Sequence, residues 1–265
     1  MSGSGAPEPR LRLESSASSA VARLVLMRGE RGNAIDMAFA EQFEESAQRV
    51  LRQAESGAIA VVVVEAEGSM FCVGGDLDDF PADPNLVVQH LETMVSRMHR
   101  ALGMLTGLPV PVVTRVQGVA AGAGLGLVAF GDVIIASSSA RFQSAYTAVG
   151  LSPDLGVSWL LPKIIGPRRA ADMVLTNRMV SADEAEQWGL VSRVVAPDCL
   201  DDEVDRLVQG LLAVPRSGVV ESKRLLGRAS ERPLSSQLVD EAATIVRLSA
   251  EPDACRAREE FLSRR

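Results

Sequence analysis

Two glycine-rich turns and one carboxylate are the residues of this chain whose types and spacing could do chemistry. The first turn is FCVGGDL at 71–77, the second lies in GVAAGAGLG at 118–126, and the carboxylate is Asp154. Glycine has no side chain to shield the backbone, and N–H groups fixed in a dry site stabilise an oxygen that becomes negative during a reaction. The second turn also opens a predicted helix, whose N-terminus carries positive partial charge. The pattern therefore predicts an oxyanion site served by a single acid/base.

Each of these features also has a structural interpretation. GAGLG is typical of close helix packing, and FCVGGDL of a strand-to-loop connection. Neither turn is a Walker loop, since no Gly-Lys-Ser/Thr follows, and GAGLG lacks the Rossmann spacing and the later acid. Asp154 could cap a helix that starts near Leu155, a role compatible with catalysis. Cys72 is interpreted as a small residue beside the turn rather than a nucleophile, because no histidine lies near it in the sequence.

The elements that must position these turns alternate between helical and strand-like patterns, which indicates an α/β fold. Continuous β-branched runs predict buried strands of a parallel sheet, and each glycine turn follows one of them. Apolar residues at helical spacing predict the helices, and Ser181 with Glu184 has the pattern of a capping box. The predicted strands are 58–66, 112–116 and 133–137, with a strand or hairpin in 10–27, and the predicted helices are 35–53, 85–105, 121–130, 156–161, 167–176 and a series from 200 onwards.

Composition limits the class of protein. The chain has 265 residues, of which 47% are hydrophobic, enough for a large core in one domain or one domain with an appendage. The net charge of −7 argues against a general nucleic-acid or membrane-surface binder but leaves room for a basic pocket that takes a phosphorylated ligand. Three scattered cysteines without metal-ligand spacing predict a reduced, cytoplasmic protein with no metal site and no structural disulfide.

The N-terminus and the apolar runs give no sign of a membrane segment. No run approaches the roughly 20 apolar residues of a membrane-spanning helix. The first ten residues, MSGSGAPEPR, lack the apolar core of a signal peptide. Residues 1–10 are therefore predicted to be a disordered extension.

The sequence resembles the crotonase (enoyl-CoA hydratase/isomerase) superfamily over 22–195. The matching segments are RGNAID at 31–36, FCVGGDL, PVVTRVQGVAAGAGLGLVAFGDVIIAS, RFQSAYTAVGLSPDLGVSWLLPKIIG and SADEAEQWGLVSRVV. The resemblance implies a spiral of β-β-α repeats over 11–199 and a helical region over 200–265 for trimerisation or as a lid. It also implies homotrimers or dimers of trimers and an acyl-CoA thioester substrate. No separate cofactor is expected, since coenzyme A is part of that substrate.

The resemblance also assigns residues to the site. The oxyanion hole falls on the N–H groups of Gly75 and Ala123, where alanine replaces the commoner glycine without removing the N–H. Arg28 and Arg31 are candidates for the phosphates of coenzyme A, and Lys223 and Phe261 lie where relatives contact it. The walls of the acyl pocket are expected from 80–86, the helix after it, and the tail. The residues expected to bind substrate are Arg31, Asn33, Ala34, Gly74, Asp76, Leu77, Gly122, Tyr146 and Trp159.

Three of these residues have structural alternatives. Asp76 could instead form the turn. Tyr146 could hydrogen-bond the substrate or fill the space left by a missing acid. Trp159 is expected in the core or in the wall of the acyl pocket.

The acids select the reaction within the superfamily. The two glutamates of the family's hydratases fall on Gly126 and Tyr146, so the usual machinery for adding water is absent. The carboxylate of isomerases and a dehalogenase falls on Asp154. The segments GLSPD and SWLLP most resemble those of the phenylacetate-pathway isomerases that act on epoxyphenylacetyl-CoA or enoyl-CoA. One difference is Val157, where those isomerases often have glycine.

The resemblance therefore predicts an acyl-CoA isomerase in which Asp154 moves a proton between carbons. One alternative is an atypical hydratase, thioester hydrolase or dehalogenase that uses Asp154 with water. Another, of a different class, is a homologue that binds acyl-CoA without catalysis.

Overall fold

The structure is a computed structural model and describes residues 8–16 and 19–264. In this part of the chain the strands form two sheets. The larger has the order β1-β2-β3-β4-β6-β9, in which β1 pairs antiparallel with β2 and each later pair is parallel, and the smaller has the order β5-β7-β8. The strands are β1 (Leu11–Ser16), β2 (Val21–Leu26), β3 (Val61–Ala66), β4 (Val112–Val116), β5 (Val119–Ala121), β6 (Val133–Ser137), β7 (Arg141–Gln143), β8 (Val180–Ser181) and β9 (Arg193–Val195).

The helices cover the larger sheet and make up the C-terminal region. Four of them, α7 to α10, follow β9 and form the helical tail. The helices are α1 (Met37–Glu55), α2 (Pro84–Thr106), α3 (Ala123–Ala129), α4 (Val157–Ile164), α5 (Pro167–Leu175), α6 (Ala182–Trp188), α7 (Leu200–Leu212), α8 (Arg216–Arg228), α9 (Leu234–Ser249) and α10 (Pro252–Ser263).

Strand β3 shows why a buried strand of this sheet has an uninterrupted run of valines in its sequence. Val62 and Val64 pack into the main core, whereas Val61 and Val63 pack into a second cluster with residues of α7. A strand buried on both faces has no polar side. The β-branched run at this point in the sequence therefore reflects helices on both sides of the sheet.

Most predicted elements are confirmed. The segment 10–27 forms the hairpin of β1 and β2, and the strands predicted at 112–116 and 133–137 have those bounds. Both hydrogen bonds of the capping box between Ser181 and Glu184 are present. The helix predicted over 121–130 is shorter because residues 119–121 pair with β7 as strand β5.

The segments that follow β3 and β4 run side by side. Cys72 bridges Ala120 as a parallel pair. A Cβ on Gly118 would lie 2.0 Å from Ser69 O, and one on Gly124 would lie 2.1 Å from Cys72 O. Distances this short leave no space for a side chain, so glycine at these two positions lets the backbones touch. This contact brings the two glycine turns to the same edge of the sheet.

Helix α2 is fixed to α1 by a buried acid. The Glu44 carboxylate is 8% exposed and accepts hydrogen bonds from Arg97 at 2.9 Å and from Arg100 at 2.6 Å. Both arginines lie on α2, and the apolar side chains of the same helix face the core. The ion cluster therefore sets how α2 lies over the sheet.

The ends of the chain differ in part from expectation. Of the extension predicted over 1–10, residues 1–7 lie outside the described residues. Arg10 belongs with the fold, since its N–H donates to Gln42 Oε1 at 2.7 Å and its guanidinium pairs with Asp36 at 2.9 Å. Across residues 8–16 and 19–264, no helix combines the length and the apolar character needed to cross a membrane.

Candidate active site

The glycine turn after β3 leaves one backbone N–H without an acceptor. Ile35 N–H donates to Gly74 O at 2.8 Å, and Asp76 N–H donates to Ile35 O at 2.8 Å, so this bridge uses the groups on either side of Gly75. Gly75 N–H itself has no acceptor among the described residues. Gly74 makes the turn with a φ of 98°, a conformation that side chains disfavour.

The second turn supplies a matching N–H. Ala123 is the first residue of α3, so its N–H has no acceptor within the helix, and none is found in the rest of the described chain. The turns are in contact, since a Cβ on Gly74 would lie 3.5 Å from Ala123 N. The structure thus brings together the two N–H groups predicted as the oxyanion pair, Gly75 and Ala123.

Gly75 and Ala123 both line one cavity of about 160 Å³. Among the described residues that line it, only Tyr146 and Asp154 have polar side chains. Two backbone donors, one carboxylate and an apolar wall suit proton transfer beside a carbonyl group. Of the residues predicted to bind substrate, Gly74, Leu77, Gly122 and Tyr146 line the cavity, and Arg31, Asn33, Ala34, Asp76 and Trp159 do not.

Asp154 and Tyr146 are joined by a hydrogen bond. The Tyr146 hydroxyl donates to Asp154 Oδ1. Burial, together with the negative charge and hydrogen bond of Asp154, raises the pKa of Tyr146 far above its usual value. The phenol therefore stays protonated and remains a donor at any working pH. No described residue forms a hydrogen bond with Asp154 Oδ2, the second oxygen of this carboxylate.

A strained loop presents the phenol to the carboxylate. Ala145, just before Tyr146, has a φ of 61°, unusual for a residue with a side chain. Its N–H donates to Asn177 Oδ1 at 2.7 Å, which holds the turn in place. The backbone before the phenol is therefore anchored by a residue far along the chain.

The structural alternative for Asp154, a cap on the next helix, is wrong. Helix α4 begins at Val157, its N-cap is Gly156, and no side chain caps it. The carboxylate of Asp154 instead faces the cavity. The next residue, Leu155, has a φ of 44°, and its N–H donates to His99 Nε2 at 3.1 Å. His99 on α2 thus holds the loop that carries the carboxylate.

Gly126 shows why a hydratase acid is absent. A Cβ on Gly126 would lie 2.5 Å from Leu155 O and 3.0 Å from Leu155 Cβ. The loop after Asp154 therefore packs directly on the backbone of α3. A glutamate at position 126 has no space in this arrangement.

The arginines expected near coenzyme A are engaged by carboxylates. Arg28, 12% exposed, pairs with Asp76 at 2.7 Å and with Asp36 at 3.2 Å. Arg31, 45% exposed, pairs with Asp78 at 2.6 Å and with Asp76 at 3.4 Å. Burial raises the pKa of Asp76, but the hydrogen bonds and charges of the arginines outweigh it and lower the pKa overall. Asp76 therefore acts as the turn former of the structural alternative, since it also accepts from Asp78 N–H at 3.2 Å.

Several other predicted contacts lie away from the cavity. Asn33 is fully buried, and its amide donates to Glu67 O at 2.9 Å and to Met70 O at 3.0 Å, so it holds backbone segments together. Ala34 is buried beside it in the chain and does not reach the cavity. Trp159 is 57% exposed, with Lys163 Nζ 3.2 Å from the centre of its ring. The prediction that Trp159 lies in the core or in the wall of the acyl pocket is therefore wrong.

The tail does not line the cavity within this chain. The Lys223 ammonium donates to Val110 O at 2.9 Å and to Asp132 Oδ2 at 2.6 Å. Phe261 is 60% exposed, and no residue from 200 to 264 borders the cavity. The prediction that the tail forms a wall of the pocket is therefore wrong for a single chain. Its contribution to a pocket in an assembly stays a prediction.

The cysteines and possible metal ligands give no further site. Burial raises the pKa of the Cys72 thiol to about 12, so the thiol stays protonated and is a poor nucleophile. In the part of the chain that the structure describes, no three His, Cys, Asp or Glu are placed to hold a metal ion.

Sequence reasoning missed the part that His99 on α2 plays in the site. His99 carries no motif, and it lies 56 residues from the Leu155 N–H that it binds. The helix after 80–86 was expected to form a pocket wall, and four apolar residues of α2, which the sequence analysis did not name, line the cavity: Leu91, Met94, Val95 and Met98. Their spacing of i, i+3, i+4 and i+7 is the signal that could have identified this face.

Comparisons with known proteins agree with the fold. The family profile described as enoyl-CoA hydratase/isomerase matches residues 16–265. The 1,2-epoxyphenylacetyl-CoA isomerase of Escherichia coli strain K12 is 36% identical over 219 residues, which are 82% of each chain. The 4-chlorobenzoyl coenzyme A dehalogenase-2 of an Arthrobacter species is 31% identical over 206 residues, covering 77% of this chain and 74% of that protein.

Solved structures are similar along nearly the whole chain. The crystal structure of an enoyl-CoA hydratase from Mycobacterium smegmatis superposes with a TM-score of 0.88 and 32% identity, and the match covers 97% of this chain and 98% of that one. The resemblance and the fold expected from it are thereby confirmed. The chain belongs to the enoyl-CoA hydratase/isomerase family and has the crotonase fold.

Proposed function

We propose that the protein is an acyl-CoA isomerase that moves a double bond by proton transfer through Asp154. The observation that carries the proposal is the composition of the cavity. Asp154 is its only carboxylate among the described residues, and it shares the cavity with the free N–H groups of Gly75 and Ala123. The hydratase position at Gly126 has no space for a second acid.

The first step is removal of a proton from the acyl chain. The thioester oxygen lies between the N–H groups of Gly75 and Ala123, which stabilise the negative charge of the enolate as it forms. Asp154 Oδ2 takes the proton, while the Tyr146 hydroxyl holds Oδ1 and so orients the carboxylate. The electron pair of the broken C–H bond moves into the conjugated enolate.

The second step returns the proton at another carbon. Protonated Asp154 donates to the far end of the enolate, the double bond takes its new place, and the carboxylate is restored. No water is added and no electrons leave the substrate, so one acid/base and no separate cofactor suffice.

Replacement of the carboxylate by an amide tests the proposal. Asp154→Asn is expected to abolish conversion of 3-enoyl-CoA to 2-enoyl-CoA and to leave binding of a saturated acyl-CoA largely intact. The ultraviolet absorbance of the conjugated thioester follows the reaction, and calorimetry follows binding. Turnover equal to that of the unchanged protein would show that Asp154 is not the base.

The same assays separate the rival functions. Hydration of 2-enoyl-CoA at a rate comparable to isomerisation would favour the atypical hydratase. Release of free coenzyme A would favour a hydrolase, and release of chloride from a chlorobenzoyl ester would favour a dehalogenase, the activity that names one relative. Binding without turnover of any acyl-CoA would favour the non-catalytic homologue.

The oligomeric state of the protein and its location in the cell both stay predictions. A homotrimer or a dimer of trimers is expected, and sedimentation should give a mass three or six times the 28.1 kDa of one chain. A cytoplasmic location is also expected from the three scattered cysteines of the sequence.

A further inference from the structure

One face of α2 forms much of the cavity wall. Leu91, Met94, Val95 and Met98 line the cavity at the spacing of a single helical stripe. Met94 is 5% exposed and Met98 4%, so they form its deep side. Methionine is flexible and fills irregular space, which suits a wall that must contact an apolar group of variable shape.

The cavity offers no spare side-chain hydrogen-bond donor to an acyl group. Among the described residues, Tyr146 and Asp154 are the only polar side chains of the lining. The single proton of the Tyr146 hydroxyl is already donated to Asp154. A carboxylate buried at the end of the acyl group would thus lack a donor, and a buried charge without a partner costs free energy. The negative charge of Asp154 opposes a second carboxylate further.

The volume limits the size of the acyl group. The cavity of about 160 Å³ is close to that of apolar cavities, roughly 150 Å³, that hold one benzene molecule. Because Gly75 and Ala123 border the same cavity, the carbonyl end of the acyl group is included in this volume.

We infer that the substrate carries an apolar acyl group of about six to eight carbons, seated against the α2 face, and that acyl groups ending in a carboxylate are rejected. The inference rests on the proposed function, because it takes the cavity to be the acyl site. A short chain and a single ring share this chemistry, and the experiment distinguishes them.

Binding of saturated acyl-CoA esters to the full-length protein tests the inference. Calorimetry with acetyl-, butanoyl-, hexanoyl-, octanoyl- and dodecanoyl-CoA should show affinity rising about fourfold per methylene and levelling off after six to eight carbons. Adipoyl-CoA has the length of hexanoyl-CoA with a terminal carboxylate, and it should bind at least about 100-fold more weakly because its charge is buried without a partner.

The aromatic arm uses phenylacetyl-CoA. If it binds more tightly than hexanoyl-CoA, the cavity is built for a ring, and if more weakly, for a chain; both results support an apolar acyl group. Affinity for every ester equal to that of acetyl-CoA would overturn the inference. Adipoyl-CoA binding within threefold of hexanoyl-CoA would overturn it as well.

A variant at the deep wall supplies an independent measurement. Met98→Phe should fill part of the cavity and weaken hexanoyl-CoA about tenfold while leaving acetyl-CoA unchanged. Leu226→Phe, on α8 at a residue that is 77% exposed and outside the cavity, is the matched control and should change neither affinity. If Met98→Phe does not fold, the series of esters on the unchanged protein still decides.

These ligands have no double bond to move, so their binding is independent of turnover. If the affinities of the saturated esters follow the expected order but no 3-enoyl-CoA is isomerised, the proposed function fails and this inference stands. If isomerisation occurs and adipoyl-CoA binds as well as hexanoyl-CoA, the inference fails alone.

Discussion

At the scale of single residues, Gly126 links packing to the choice of reaction. Its Cα lies against the carbonyl of Leu155, the residue after the carboxylate. The missing side chain at position 126 is therefore a condition for placing Asp154 where it is. A glutamate introduced at this position displaces the loop instead of adding a hydratase acid.

Gly126→Ala tests this close packing. The added methyl would lie 2.5 Å from Leu155 O, so we expect a loss of about 1–3 kcal/mol in the free energy of unfolding. Denaturant titration gives the value. Gly103→Ala is the control, since it lies in α2 with nothing within 4 Å of its Cβ position, and it should stabilise by up to about 1 kcal/mol. Equal effects of the two changes would contradict the contact.

Tyr146 is the second residue whose role depends on one contact. Tyr146→Phe removes the donor to Asp154 Oδ1 but keeps the ring. We expect kcat to fall about tenfold to 100-fold, which corresponds to the free energy of one hydrogen bond to a charged group. Binding of a saturated acyl-CoA should change less than threefold. Phe80→Leu alters another lining ring and should change KM but not kcat. A kcat within twofold of the unchanged protein would leave Tyr146 only a space-filling role.

The part of the site that could be predicted consists of backbone turns. Glycine is conspicuous in a sequence, and Gly74 and Gly122 occur where positive φ values are needed. The contacts of Tyr146 and His99 could not be predicted, because each depends on how distant segments meet. His99 on α2 meets the Leu155 N–H, in the loop after Asp154, only in the folded chain.

At the scale of elements, the ion cluster on Glu44 governs the cavity wall. Hydrogen bonding from Arg100, opposed by burial and supported by Arg97, lowers the pKa of Glu44. A lowered pKa means that this stabilisation is present above the unfolded value, about 4.3, and is lost as pH falls through the lower folded value. Acid therefore loosens α2, which carries four residues of the cavity.

Glu44→Gln measures the contribution of this cluster. At pH 7 the variant should lose about 1–3 kcal/mol in the free energy of unfolding, and below the folded pKa the difference should largely disappear. Glu41→Gln is the control, because its carboxylate is 50% exposed, lies 3.4 Å from Arg97 and should contribute under about 1 kcal/mol. A difference for Glu44→Gln that does not depend on pH would contradict the assigned cause.

The larger elements were predictable for a different reason than the site. Strand β3 is a run of valines because both of its faces are covered, by the main core and by α7. Such runs determine the sheet but not the exact start of each element. The shortened α3 is an example, since β5 formed at the expense of its predicted first turn.

At the scale of the whole molecule, the six-stranded sheet separates two apolar clusters, and the site lies on the side of the larger one. The main cluster includes Tyr146 and Leu155 beside the carboxylate, whereas the smaller cluster holds α7 against the sheet. Loss of packing in the main cluster is therefore expected to reach the site directly.

The buried thiol of Cys72 makes the integrity of the site measurable with a simple reagent. Cys199 is exposed and Cys255 partly exposed, while Cys72 is buried beside the first glycine turn. A maleimide should therefore modify two thiols of the folded protein quickly and the third only when the turn opens. In a Cys199→Ser, Cys255→Ser variant only Cys72 can react, so its rate of modification by maleimide measures how often the turn opens. A bound acyl-CoA should slow this rate. Modification of Cys72 as fast as that of Cys199 would show that the turn is open in the native protein.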